Sequence, residues 1–170
     1  VSPTGGDVRV YQEESTTFEE IAAIGSVRQN LTGGERPEQV QVGWVSRNFF
    51  QTLQITPTLG SDFAPDEPAG SLLLSHAFWQ RSFGGRRDVL GQRLQLDGKP
   101  FTVIGVLPEG FRLQMSRDVG ISMAIDVWKP GDEVDAPQRW AVNELNLSTL
   151  RVIGRLQPGA AVDQARADLE

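Results

Sequence analysis

Between residues 38 and 45 the chain alternates: Val40, Val42 and Trp44 are separated by Gln39, Gln41 and Gly43. A period of two predicts a half-buried β-strand. Upstream, Phe18, Ile21 and Ala22 recur at helical spacing, and Thr17 with Glu20 has the form of a capping box. These positions predict a first helix over residues 17–24, ended by Gly25. Residues 26–31 read as extended, and Thr32-Gly33-Gly34-Glu35 reads as a turn joining them to the alternating strand in a hairpin. Ser46 is positioned to cap a short helix holding Phe49, Phe50 and Leu53. Residues 55–63, with Pro57 and Gly60, read as a loop, and the acidic stretch 62–70, with Pro65 and Pro68, as exposed.

The second half repeats this grammar. Leu72-Leu73-Leu74 is a strand-sized apolar run, and Ser75 caps a helix bearing Phe78, Trp79 and Phe83 that Gly84-Gly85 closes. Residues 88–91 form a turn. Asp97-Gly98, flanked by strands 92–96 and 100–106, is the strongest short hairpin signal in the chain. Residues 111–115 and 126–128 read as short strands, and 130–140 as a loop. A last strand covers 150–156, Pro158-Gly159 turns it, and a helix begins at Val162 with Ala165 and Leu169 inward. That helix runs to the end of the sequence, so a longer parent chain is expected. The elements together describe an α+β domain.

Composition narrows the functional classes. The 170 residues are 39% hydrophobic and 22% charged, which suits one packed domain. A net charge of -6 opposes nucleic-acid binding, which needs a basic face. No Lys/Arg cluster is large enough for anionic lipid: Arg86-Arg87 is a pair followed by Asp88. The absence of cysteine removes disulfides, thiolate metal sites and thiol nucleophiles. The opening Val1-Ser2-Pro3-Thr4-Gly5-Gly6 is not a signal peptide, and no apolar run reaches the ~20 residues that span a bilayer. Any membrane anchor is therefore expected outside this segment.

Catalytic signatures are weak. His76 is the single histidine and follows Ser75, but the context Leu73-Leu74-Ser75-His76-Ala77 is not a nucleophile elbow. A cap role for Ser75 is the better account. Asp62, Asp66 and Glu67 offer clustered oxygens of the kind calcium uses, without EF-hand spacing. A solvated loop is the better account there too. Thr4-Gly5-Gly6 and Gly84-Gly85 lack phosphate-loop context. No cofactor or metal is expected. Trp44 and Trp79 lie on apolar faces and read as core. Trp140, beside Arg139 in a polar loop, is the candidate for partner contact, with Asp62, Asp66 and Glu67 beside it as an acidic surface.

Several separate stretches, in order, resemble one known pattern. They are Val45-Ser46 with Phe49-Phe50 and Leu53; Leu59-Gly60 with Phe63; and Leu74-Ser75 with Phe78-Trp79 and Phe83-Gly84. There follow Gly91 with Leu94, Leu96-Asp97-Gly98, Phe101 and 103–108; Gly110-Phe111; residues 126–130; and 152–156 with Pro158-Gly159 and Ala165. Together they resemble the MacB-type periplasmic core domain of ABC transporter permeases of the FtsX-like family. Two positions depart from the pattern: Ala161 stands where Ser or Thr usually caps the last helix, and Ser61 where Arg usually follows Leu-Gly.

The resemblance implies a porter-like βαβ-type subdomain, about 1–58 with 146–170, and an inserted second mixed α/β subdomain, about 59–145. It implies a non-catalytic extracytoplasmic domain on the bacterial inner membrane, anchored by flanking transmembrane helices. ATP hydrolysis would lie on a separate cytoplasmic ATPase subunit or domain. The implied partners are those helices, the ATPase, and an adaptor or a peptide, macrolide or lipoprotein substrate of an efflux system. The isolated domain is expected to be a monomer that relays conformational change and contacts partners. Two rivals remain open: a free-standing exported ligand- or peptide-binding module, and a hydrolase using two acids or Ser75-His76.

Overall fold

The computed structural model describes residues 15–113, 124–131 and 151–168. These form a mixed α/β domain: one mixed sheet of eight strands with a few short helices. The strands are β1 (Phe18–Thr32), β2 (Glu38–Val45), β3 (Leu59–Gly60), β4 (Ser71–Leu74), β5 (Arg93–Leu96), β6 (Lys99–Val106), β7 (Val127–Pro130) and β8 (Arg151–Leu156). The helices are α1 (Phe49–Thr52), α2 (His76–Phe83) and α3 (Val162–Asp168), with a 3-10 turn at Arg87–Val89.

The expected first helix is a strand. β1 runs for 15 residues through the segment read as helix and through Gly25, the expected stop. The reason is burial on both faces. Ala22 and Ile24 join one apolar cluster, and Ala23 packs with Trp44 on the other side. A doubly buried strand shows a continuous apolar run, here Ile21-Ala22-Ala23-Ile24, which periodicity does not separate from a helix. Glu20 does not close a capping box; its carboxylate accepts a hydrogen bond from Thr52 Oγ1 at 2.9 Å. Gly25 is explained by close approach: a Cβ there would lie 1.9 Å from Cζ2 of Trp44, whose ring lies across the strand.

The hairpin between β1 and β2 forms as expected, antiparallel, with Ile24 opposite Val45 and Leu31 opposite Glu38. The pairings then circle back. β2 runs parallel to β7, β7 antiparallel to β4, β4 parallel to β6, and β6 antiparallel to β5. β5 returns to β1 through Leu31–Leu96 and Thr32–Gln95 pairs. Six strands thus close a ring, which removes the edges an open sheet would leave. β8 flanks β1 outside the ring, and β3 flanks β6.

Alternation along the ring sorts side chains onto two cores. Val40, Val42, Leu72, Leu74, Leu94, Leu96, Val103 and Val127 share one cluster. Leu73, Val45 and Trp128, on the opposite face, join Phe49, Phe50, Phe63 and Leu107 in the other. Each such buried side chain contributes about 1.5–3 kcal/mol. α2 adds Phe78 and Phe83 to the first cluster. It lies across the ring end where β2 and β7 begin. Ser82 Oγ donates to Glu38 Oε1 at 2.8 Å, and Arg81 sits 3.1 Å from Asp126.

Local chemistry supports several expectations. Ser75 Oγ accepts the Phe78 N–H at 3.2 Å, and Gly84 ends α2 in the left-handed region. Asp97 and Gly98 have φ of 48° and 80°, the mirror-image turn that tight hairpins require. β8 and α3 also lie where expected, with Ala165 buried.

Others need correction. Ser46 does not cap α1: the capping position is Asn48, which makes no side-chain cap bond. The loop at 55–63 contains β3, held on β6 by the Leu59–Val106 and Gly60–Gly105 pairs. Residues 111–113 are irregular and not a strand. Residues 88–91 begin inside the 3-10 turn. Pro130 closes β7 and does not open a loop. Trp79 is only half-buried, since its Nε1 reaches the Arg86 carbonyl at 2.8 Å. Met115, Leu169 and the expected loop beyond residue 131 lie outside the described residues.

Candidate functional site

The acidic stretch is exposed at Pro65, Asp66 and Pro68, as expected, but anchored at other positions. Asp62 and Glu67 are half-buried, while Asp66 is exposed. Phe63 between them is fully buried and packs 6.1 Å from Phe50, which draws the loop down onto the second core. Glu67 holds the loop from inside: its carboxylate accepts the Ala64 N–H at 3.3 Å and a hydrogen bond from Ser71 Oγ. Arg47 ties it to the end of β2, donating from Nε and Nη2 to the Glu67 carbonyl at 3.1 and 2.9 Å. Sequence reasoning missed Arg47 and Ser71. Arg47 stands inside the Val45-Ser46 motif, and only the fold shows where it reaches.

Burial pushes the Asp62 carboxyl up to about 6, against the lowering effect of the Phe63 N–H and with help from the nearby Glu67. Asp66 is exposed, unlike these two. Among the described residues no group of three His, Cys, Asp or Glu side chains has the arrangement of a metal site. Arg139 and Trp140, the other candidate contact residues, lie outside the described residues.

Ser75 and His76 do not form a catalytic pair. The Ser75 hydroxyl is engaged by the start of α2, and the His76 ring meets Trp79 edge-on at 5.4 Å.

A groove of about 510 Å³ opens on the second core. Leu53 and Ile55 after α1, residues 110–113 after β6 and Ile153 on β8 line it. Phe111 links it to the aromatic cluster, 5.8 Å from both Phe50 and Trp128. Arg112 stands at the rim, donating to the Glu109 and Phe111 carbonyls. This is an apolar contact surface without a nucleophile or a general base among its lining residues.

The polar residues just before α1 tie that helix to β1. Ser46 Oγ accepts the Ala23 N–H at 3.0 Å and donates to Asn48 Oδ1, while Asn48 Nδ2 donates to the Ile21 carbonyl at 3.0 Å. A buried polar group needs such partners, and here they join the β2–α1 corner to β1.

The profile of the MacB-like periplasmic core domain family matches residues 2–170. The chain belongs to that family. The structure is similar to the periplasmic region of MacB from Actinobacillus actinomycetemcomitans, with a TM-score of 0.70 at 12% identity, over 99% of this chain and 72% of that one. It is also similar to the extracellular domain of the noncanonic ABC-type transporter YknZ from Gram-positive bacteria, with a TM-score of 0.68 at 15% identity, over 98% and 78% of the two chains. No curated protein matches the chain. In this MacB-like domain the motif positions have structural work. Phe49 and Phe50 fill the second core, Ser75 starts α2, and Asp97-Gly98 turns β5 into β6.

Proposed function

We propose that this MacB-like domain is the extracytoplasmic part of an ABC transporter permease, and that it relays motion rather than catalysing a reaction. One observation carries the reading: the first and last described strands, β1 and β8, are neighbours. β1 and β8 lie antiparallel with Phe18 opposite Leu156, and the Gln157 N–H donates to the Thr17 carbonyl at 3.0 Å. Thr17 and Gln157 are thus side by side, an arrangement that suits a domain held between a pair of flanking transmembrane helices, with α3 following β8. Among the described residues no helix is long and apolar enough to cross a membrane; in this reading those helices belong to flanking segments. The family and the similarity to transporter domains of MacB and YknZ support the same reading.

In this reading the domain stands on the outer face of the bacterial inner membrane, between the first and second transmembrane helices. A separate cytoplasmic ATPase drives it, and the exported substrate is a peptide, macrolide or lipoprotein, with or without an adaptor. We also propose a two-part division, 1–58 with 146–170 forming the porter-like part and 59–145 the insert. Its support is the uneven pairing. By strand pairing, β1 meets β2 over residues 24–31 and β8 over residues 18–24, whereas among the described strands β2–β7 and a two-residue β1–β5 contact join the central segment. Asp62, Asp66 and Glu67 would then lie on the insert, with Arg139 and Trp140, as its partner-facing residues.

The test is to sequence the native reading frame on both sides. An apolar stretch of ~20 residues before Val1 and several after Glu170 would support the permease setting. A cleavable leader before Val1 and a stop codon soon after Glu170 would overturn it. The groove favours a second reading, an exported module that binds an apolar peptide. Melting temperature measured against a panel of hydrophobic peptides separates the two, since a bound ligand raises it.

A further inference from the structure

Load applied through β1 and β8, the first and last described strands, does not act evenly on this fold. Pulling Phe18 and Leu156 apart peels β8 from β1 one pair at a time, starting at the exit. The ladder is irregular there: Phe18 faces Leu156 and Glu20 faces Arg155, leaving Glu19 as an extra residue. Just inside the outermost bond, from the Gln157 N–H to the Thr17 carbonyl, the load thus meets a bulge.

Arg155 stands at that bulge, one residue inside the exit. Its side chain is about one-quarter exposed at 26%, so it is partly shielded from water. Nη1 lies 3.6 Å from the carboxylate of Glu19, the extra residue. The rest of the guanidinium turns away from the ladder. Nε and Nη2 donate to the Thr52 carbonyl at 3.0 and 2.7 Å, and Nη2 also donates to the Gln51 carbonyl. These carbonyls belong to the last turn of α1, and that of Gln51 also accepts the Gln54 N–H at 2.9 Å. A planar fork with several donors can hold two such oxygens at once; an ammonium group can not do so in fixed geometry.

α1 is itself bolted to β1. Thr52 Oγ1 donates to Glu20, Asn48 Nδ2 to the Ile21 carbonyl, and Ser46 Oγ accepts from Ala23. Phe49 and Phe50 root it in the second core. Arg155 therefore gives β8 a second attachment that bypasses the bulge and reaches the core through α1.

We propose that Arg155 is the mechanical latch of the domain, holding the exit strand to β1 and α1 against load applied through the two ends. This rests on the relay reading above, where such load is the working condition. The test is single-molecule pulling of the 170-residue chain by its termini. In Arg155→Ala the peak force should fall severalfold, and an early step should appear that releases residues 151–170, roughly 70 Å at full extension. Arg155→Lys keeps the charge and stem without the fork, and should show the same step at intermediate force.

A control axis uses handles at Ser61→Cys and Lys99→Cys, in a chain with no native cysteine. That load path omits β8, so its peak force should be unchanged by either Arg155 variant. Unchanged force along the terminal axis would overturn the latch. So would an equal loss along both axes, which is general weakening. The flanking-sequence test is independent. Membrane spans with no force effect would remove the latch and leave the relay, whereas the force effect without spans would leave the latch and remove the relay.

Discussion

Replacing Asp62 by Asn should stabilise the domain, and the gain should depend on pH. The carboxyl is half-buried beside Phe63 and Glu67, and its pKa rises from 3.8 to about 6, chiefly through burial. At ~1.4 kcal/mol per pH unit that displacement corresponds to roughly 3 kcal/mol. The group still meets solvent, and screening reduces the effective figure to about 1.5 kcal/mol. The sign follows from proton counting. Between 3.8 and about 6 the folded chain binds more protons at this site than the unfolded chain, so stability falls as pH rises. The contribution of Asp62 is fully present below 3.8 and lost above about 6. The Asn amide keeps an oxygen for the Phe63 N–H, which Asp62 Oδ1 accepts at 2.7 Å, and carries no charge to desolvate. For a domain of this size each kcal/mol moves the midpoint by about 2–4 °C, so Asp62→Asn should melt about 3–6 °C higher at pH 7.5. Thermal melts of both chains across pH 4 to 8 measure this. Equal midpoints at pH 7.5, or a gain that persists undiminished at pH 4, would refute the reasoning.

Two further substitutions probe the ring. Gly25→Ala places a methyl group 1.9 Å from the Trp44 ring, and should cost at least the upper end of the ~1–3 kcal/mol typical of overpacking. Trp44→Val in the same chain should recover part of that loss, and additive losses in urea titrations would contradict the contact. Asp97 behaves oppositely to Asp62. The Asn30 N–H and the Gln29 amide hold its carboxylate below the usual range, so its contribution is present above 3.8 and lost as pH falls. Asp97→Asn should therefore lower the urea midpoint at pH 7, with a difference that shrinks as pH falls below 3.8; a difference that does not change with pH would count against these hydrogen bonds.

What the sequence determined is what neighbouring residues decide among themselves. The Asp97-Gly98 turn, the Ser75 cap, the Gly84 stop and the alternation of Val40, Val42 and Trp44 all act within a few residues, and all are legible. So were the ordered motifs of the MacB-like family. Only the tertiary structure decided the rest. Residues 17–24 satisfy a helical pattern, yet two apolar layers claim both faces of the segment, and periodicity reports one face at a time. Gly25 looked like a helix stop, because its reason is the Trp44 ring in another strand. The acidic loop looked solvated, since nothing near it in sequence shows Phe63 anchored on Phe50 or Arg47 gripping Glu67. Ser46 and Arg155 find their partners 23 and more than 100 positions away. Closure of the ring is the extreme case: β5 must return to β1 across a long stretch of chain. Such pairings depend on which surfaces can be buried together, and local pattern carries no record of that choice.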